Sequence, residues 1–191
     1  HYPRRRLEAE QIRDALLTVS GRLDTMMYGK PVPVHITPFM QGRGKPGKSG
    51  PIDGGGRRSI YQEVRRNFLE PMMLTFDRPL PSTTFGKRNV TNVPAQSLIM
   101  MNDPFVIQQA ELMAKNLMRE TKPVLEQRFD WIFERAYSRK PAAEEIAKAK
   151  EFISQLAKLH NINENDINDS LVIWSDYCHS IFNSKEFIYL I

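Results

Sequence analysis

Eight residues from Gly42 to Ser49 read GRGKPGKS and match the phosphate-loop pattern GxxxxGK[ST] at every position. In a phosphate site, a buried strand leads into such a loop and a helix begins at its end, so that backbone amides and the Lys converge on phosphates. Here Pro38 interrupts the only candidate strand, and Gly50, Pro51 and three further glycines follow Ser49. We therefore do not expect this segment to bind a nucleotide.

The histidines and the single cysteine suggest no reaction. Two metal ligands on one helix face need i, i+3 or i, i+4 spacing, which is absent from the histidine set His1, His35, His160 and His179. Cys178 lies on an apolar helix stripe, where a thiol behaves as a small buried hydrophobe. The adjacent His179 projects about 100° away from it on a helix. No GxSxG or HExxH pattern occurs, so we predict neither a catalytic residue nor a metal site.

Arginine-rich blocks are the candidate binding residues. Residues 1–90 carry 16 Lys and Arg against 8 Asp and Glu (+8), whereas residues 91–191 carry 11 against 14 (−3). The candidate ligand or docking residues are Arg57, Arg58, Arg65, Arg66, Asn67, Arg88 and Asn89. Such a basic segment can bind a polyanion or dock on a neighbouring domain. Alternatively, its arginines pair with the chain's own carboxylates, of which Glu63 and Asp77 are available.

The spacing of apolar residues predicts the helices that position these blocks. Ile12, Leu16, Val19 and Leu23 recur at helical spacing, with Gly21 as a stop or a weak turn. Further helices are predicted to open at the sites Pro71, Pro94, Asp103–Pro104, Pro123, Pro141 and about Asp166. Because each apolar stripe must be covered, we expect a mainly α fold, a helical bundle with little or no β structure.

A long loop insertion is expected within this bundle. Residues 29–56 hold 8 of the 10 glycines and 5 of the 13 prolines, a composition that propagates neither helix nor central strand. We expect an exposed loop with a short extended piece at residues 34–36. Residues 59–64 are rich in β-branched and aromatic side chains and predict a short strand. The prolines of residues 65–92 predict a mostly irregular segment.

Length and composition exclude several classes of protein. With 41% hydrophobic and 26% charged residues, the chain is neither disordered nor fibrous, and no run approaches the roughly 20 apolar residues of a membrane span. One Cys excludes an internal disulfide framework and a CxxCH haem attachment. A net charge of +5 is low for a nucleic-acid module, so nucleic acid is not an expected partner. We expect one domain over residues 1–191, and because no Met begins the chain we expect it to be a piece of something longer.

Several ordered blocks together resemble one family. They are Arg5–Glu10, Ile12–Leu17, Val19–Gly21, Arg57–Tyr61, Val64–Asn67, Phe76–Asp77, Arg88–Val90, Val93–Gln96, Asn102–Val106 and Asn183–Phe187. Over nearly its whole length, the chain resembles the C-terminal domain of planctomycete-type cytochrome-associated proteins, the domain of unknown function 1553 family. The resemblance implies that the domain is truncated at its N-terminus in this chain, and that the protein is exported, periplasmic or on the cell surface. It also implies that any haem c belongs to another part of the parent protein, with no cofactor in this chain.

Three functions fit these observations. The first is a non-catalytic interaction or accessory module that contacts neighbouring domains of the same parent chain. The second is a module that binds an acidic polysaccharide through the Arg-rich segment 57–92. The third is part of an enzyme site shared with the missing N-terminal region. Polyanion binding weakens steeply with salt, whereas docking through apolar surface does not, so ionic strength separates the first two.

Overall fold

The computed structural model describes residues 4–190 as a mainly α fold, which confirms the predicted fold class. In chain order, its strands and helices are β1 (Arg5–Arg6), α1 (Ala9–Val19), α2 (Pro71–Thr75), α3 (Pro94–Asn102), α4 (Pro104–Glu120), α5 (Leu125–Tyr137), α6 (Ala143–Leu159), α7 (Leu171–Phe182), α8 (Lys185–Ile188) and β2 (Tyr189–Leu190). Short 3-10 turns lie at Gly54–Gly56, Ser59–Tyr61 and Glu164–Asp169. Within this range, no helix is long and apolar enough to cross a bilayer.

Helix α1 forms as its apolar spacing predicts. Ile12 and Leu16 are fully buried against the core. At its start, the Glu8 backbone N–H donates to the Gln11 side chain at 3.0 Å, which satisfies one of the amides that a helix start leaves unpaired. The helix ends at Val19, and Gly21 adopts a φ of +72°, the left-handed conformation that favours glycine. The predicted stop at Gly21 is therefore confirmed.

The core is centred on α4 and α7, which pack along each other. The predicted start of α4 at Asp103–Pro104 is confirmed, and Asp103 caps the helix, since its Oδ1 accepts a hydrogen bond from the Phe105 amide at 2.8 Å. From α5, the Phe129 ring lies 6.1 Å from that of Trp174 and 5.6 Å from that of Tyr177. The short antiparallel pair β1–β2 aligns Arg5–Arg6 with the last described residues.

The predicted strand at residues 59–64 is wrong. Ser59–Tyr61 forms a 3-10 turn instead. Asp14 Oδ1 accepts hydrogen bonds from both the amide and the hydroxyl of Ser59, at 2.8 and 2.6 Å. These bonds join residues 45 positions apart and outweigh the local preference of Ile60 and Tyr61 for extended structure.

The last long helix begins at Leu171 rather than near Asp166. Ser170 caps it, with its hydroxyl oxygen accepting from the Ile173 amide at 3.4 Å. The preceding residues form the turn Glu164–Asp169, in which the Ile167 carbonyl accepts from Trp174 Nε1 at 3.1 Å. That side-chain bond uses a carbonyl that a continuous helix would pair internally.

The Gly/Pro-rich segment 29–56 is irregular and mostly exposed, but its end is not. Asp53, Gly54 and Gly56 are buried, with Gly54 against the Arg13 side chain of α1 and Gly56 against Arg22, which follows α1. No strand forms at residues 34–36 in the described chain; Val34 accepts one hydrogen bond from Gly50, at 2.9 Å, across the loop. The insertion is thus held at both ends, because Val32 near its start also makes backbone hydrogen bonds, to Tyr61 and Glu63.

Candidate functional site

Arg13 anchors the end of the loop insertion to α1. Its side chain is fully buried and donates to the Asp53 carbonyl at 2.7 Å, the Arg57 carbonyl at 2.9 Å and Ser59 Oγ at 3.3 Å. Burial lowers the pKa of Arg13, although nearby Glu70 opposes that shift. Burial likewise raises the pKa of Glu70. No signal in the sequence distinguishes Arg13 from the exposed arginines, because its burial depends on the loop that covers it.

Two candidate arginines, Arg57 and Arg58, contact the same aromatic ring. Arg57 is buried and donates to the Tyr28 carbonyl at 2.6 Å, and its guanidinium lies 4.3 Å from the centre of the Tyr61 ring. The Arg58 guanidinium lies 5.8 Å from that ring. Both distances fall within the range of a cation–π contact. Arg57 therefore stabilises the segment from within, and only Arg58 is partly accessible.

Arg88 joins the irregular segment to the start of α1. It donates to Glu8 at 3.1 Å and to Glu10 at 2.6 Å. Nearby, Asp77 accepts from Arg6 at 2.7 Å and from the Thr91 amide at 2.8 Å. Burial alone would raise the pKa of Asp77, but these bonds outweigh burial and lower it. The contacts hold residues 77–91 against the helices.

The remaining candidates are on the surface. Arg65 is exposed and pairs with Glu63 at 2.9 Å. Arg66 is exposed and, within residues 4–190, has no carboxylate within 4 Å. Asn67 donates to the Arg43 carbonyl at 3.4 Å, and Asn89 is exposed. The seven candidates are thus not brought together into one site.

A groove beside Arg65 was missed by the sequence analysis. It has a volume of about 610 Å³ and is lined by Lys30, Pro31, Pro33, Val34, Pro46, Gly47, Lys48, Glu63 and Arg65. We call it the cationic groove. Lys48 belongs to the phosphate-loop match, but no helix starts after Ser49 and no strand precedes Gly42 in the part of the loop described. The lysine-rich composition of the loop indicated a basic surface. Nothing in the sequence indicated that the segment with Glu63 and Arg65 faces this loop.

The cysteine and two of the histidines, which could act in catalysis, are buried or contact other groups of the chain. Cys178 is fully buried, and burial raises the pKa of its thiol. His179 Nε2 lies 2.9 Å from the Met100 carbonyl, and His160 Nε2 lies 2.7 Å from Asp176 Oδ2. The described chain holds no cluster of three or more metal-ligating side chains. His1 lies outside the described residues.

Apolar side chains remain uncovered around α3 and the α4–α7 groove. We define the apolar surface as Leu98 (58% exposed), Met101 (55%), Ile107 (46%) and Val172 (49%). Leu98 and Met101 share one face of α3, three residues apart. Ile107 and Val172 line a groove of about 290 Å³ that also includes His179. Because His179 contacts the Met100 carbonyl, the end of α3 adjoins this groove.

One comparison with known proteins gives a match. A family model described as PSD1, Protein of unknown function (DUF1553), matches residues 1–153 of the 191-residue chain. The match includes the cationic groove and all of α1 to α5. No curated protein and no solved structure matches the chain.

Proposed function

We propose that this chain, which belongs to the DUF1553 family, is a non-catalytic interaction module that binds a neighbouring domain of its parent protein through the apolar surface. The observation that carries the proposal is the exposure of four large apolar side chains around α3. Exposed apolar surfaces with a polar rim mark interaction sites on soluble proteins.

The energetic argument follows from those exposures. Transferring a large apolar side chain from water to an apolar environment contributes about 1.5–3 kcal/mol when burial is complete. Leu98 and Met101 are each more than half exposed, so covering them contributes roughly half of that apiece, or about 2 kcal/mol together. Glu111 and Asp176 border the same groove and supply a polar rim, the arrangement common in protein interfaces.

Internal pairing of the arginines also supports an apolar rather than a charged docking surface. Arg57 is buried and Arg88 is half-buried, and both pair with groups of the same chain. Binding a partner through either arginine would require breaking these contacts. Docking on the apolar surface disturbs none of these contacts.

The test is association between this chain and the separately purified remainder of the parent protein, measured by calorimetry at low and high salt. We expect binding that varies little with salt. Combining Leu98→Ser with Met101→Ser should weaken it at least about tenfold, the loss expected for removing central apolar contacts. The matched control is Leu159→Ser, because Leu159 is 72% exposed on α6, and it should have no effect. Absence of association, or equal affinities for the two variants, would refute the docking role.

Export and the link to a cytochrome are part of the same proposal. They rest on the resemblance to cytochrome-associated proteins, in which haem c lies outside this domain. Cell fractionation with antibodies against this chain tests the location. A haem-dependent peroxidase stain of the detected band tests the covalent link to c-type haem. A stained band in the exported fraction supports both parts, and an unstained cytoplasmic band contradicts them.

A further inference from the structure

The cationic groove has walls that backbone hydrogen bonds hold in place. Val32 donates to the Tyr61 carbonyl and accepts from the Glu63 amide, both at 2.8 Å. On the other side, the Gly50 amide donates to the Val34 carbonyl at 2.9 Å. Three prolines among the lining residues restrict the backbone further. The groove is therefore formed before any ligand arrives, which reduces the entropy lost on binding.

Its charge is unbalanced. Residues 29–66 carry 8 Lys and Arg against 2 Asp and Glu, a local balance of +6. Within the groove, Lys30 and Lys48 are exposed and have no carboxylate within 4 Å among the described residues. Arg65 pairs with Glu63, the one carboxylate that lines the groove. The charges of the lining residues thus sum to +2, and the two charges without a carboxylate partner are those of Lys30 and Lys48.

We propose that the cationic groove binds an acidic polysaccharide through its sulfate or carboxylate groups. The groove is open, so a linear chain can lie across it. The Asn67 contact with the Arg43 carbonyl brings the backbone of residue 43 next to Arg66, and both arginines are exposed. These cations extend the positive surface beyond the groove. A polymer with repeated anionic groups can contact several of them at once, whereas a single small anion cannot.

The lining favours a polysaccharide over a single-stranded nucleic acid. Single-stranded nucleic acids are held by aromatic side chains on which bases stack, together with a basic track for the backbone. The lining residues provide the basic track but include no aromatic ring. Prolines and Val34 form the walls instead. Ion pairs to isolated anionic groups are the contacts that this lining offers.

The experiment measures binding of the chain to fluorescent heparin between about 0.05 and 0.2 M salt. Replacing Lys30 and Lys48 together by Ala should weaken binding about tenfold and reduce the salt slope by up to about 2, roughly one for each lost contact. The control replaces Lys148 and Lys158, exposed lysines on α6, by Ala; this makes the same change in net charge. It should have a much smaller effect.

A gain-of-function variant protects the test from misfolding. Glu63→Gln removes the only carboxylate of the lining, while its backbone bond to Val32 stays possible. We expect heparin to bind about threefold more tightly, a change that a damaged fold would not produce. Equal losses in the groove and α6 variants, or no gain with Glu63→Gln, would overturn the assignment of the site. Tighter binding of a duplex DNA of equal charge would overturn the choice of a polysaccharide.

Discussion

Replacing Arg13 by Met removes three hydrogen bonds from the fold interior while keeping most of the side-chain volume. The carbonyls of Asp53 and Arg57 would stay buried without their donor, and each unsatisfied acceptor costs about 1–3 kcal/mol. Glu70 would also lose the positive charge nearest to it, 4.0 Å from Arg13 Nε. Removing one partner of a buried charged network costs about 3–5 kcal/mol, and we expect a loss of that size in the free energy of unfolding.

Urea unfolding at neutral pH, followed by circular dichroism, measures this loss. With a slope of about 2 kcal/mol per molar urea, the midpoint should fall by about 2 M. Arg22→Met is the matched control, because Arg22 pairs with Asp53 at 2.6 Å but is 42% exposed in its side chain. Exposed pairs contribute less than about 1 kcal/mol. Combining Arg13→Met with Glu70→Gln should cost less than the sum of the single changes, by about 1–2 kcal/mol. Equal losses for the Arg13 and Arg22 variants would refute the reasoning.

Three further predictions concern pH, the thiol and the loop. Hydrogen bonding to Arg139 lowers the pKa of Glu145 from 4.5 to about 2; the resulting stability is therefore present above pH 4.5 and lost as the pH falls toward 2. Arg139→Met should flatten this part of the acid-unfolding curve, and an unchanged curve would contradict the pairing. Cys178 is buried with a raised pKa, so a thiol reagent should label it at least about 100-fold faster in urea than in buffer; comparable rates would be inconsistent with its burial. At Gly50 an added Cβ would lie 1.9 Å from the carbonyl oxygen of Pro33, which lines the cationic groove, whereas at Gly86 it would meet nothing within 4 Å. Gly50→Ala should therefore weaken heparin binding and speed proteolysis of the loop, and Gly86→Ala, outside the groove, should do neither.

Local signals in the sequence were sufficient for most helices. The spacing of Ile12 and Leu16 placed α1, and the Asp103–Pro104 pair placed the start of α4. Both signals act within a few residues: an apolar stripe needs only the helical period, and a cap needs only a nearby amide. The structure therefore agrees with the predicted helices where residues close in sequence determine the conformation.

Contacts between distant residues account for what the sequence could not provide. Ser59 has neighbours that favour a strand, yet Asp14 holds it in a 3-10 turn. The same applies to charge partners. Arg88 pairs with Glu8 and Glu10, about 80 residues away, and not with the carboxylate of Asp77, which instead accepts from Arg6. A sequence gives the number of charges but not which of them neutralise each other.

That distinction between paired and unpaired charges determines which arginines can bind a partner. An arginine that satisfies buried acceptors cannot leave them for a ligand without the cost of unpaired groups, and this applies to Arg13. Arg57 is itself buried, with its guanidinium against the Tyr61 ring, and is therefore not presented to a ligand. Lys30 and Lys48 form no ion pair with a carboxylate in the described chain, so an anion can bind them without displacing a partner. The proposed domain contact uses different residues and a different force, since apolar burial is insensitive to moderate salt. Raising the ionic strength should therefore release a polysaccharide while leaving the proposed domain contact intact.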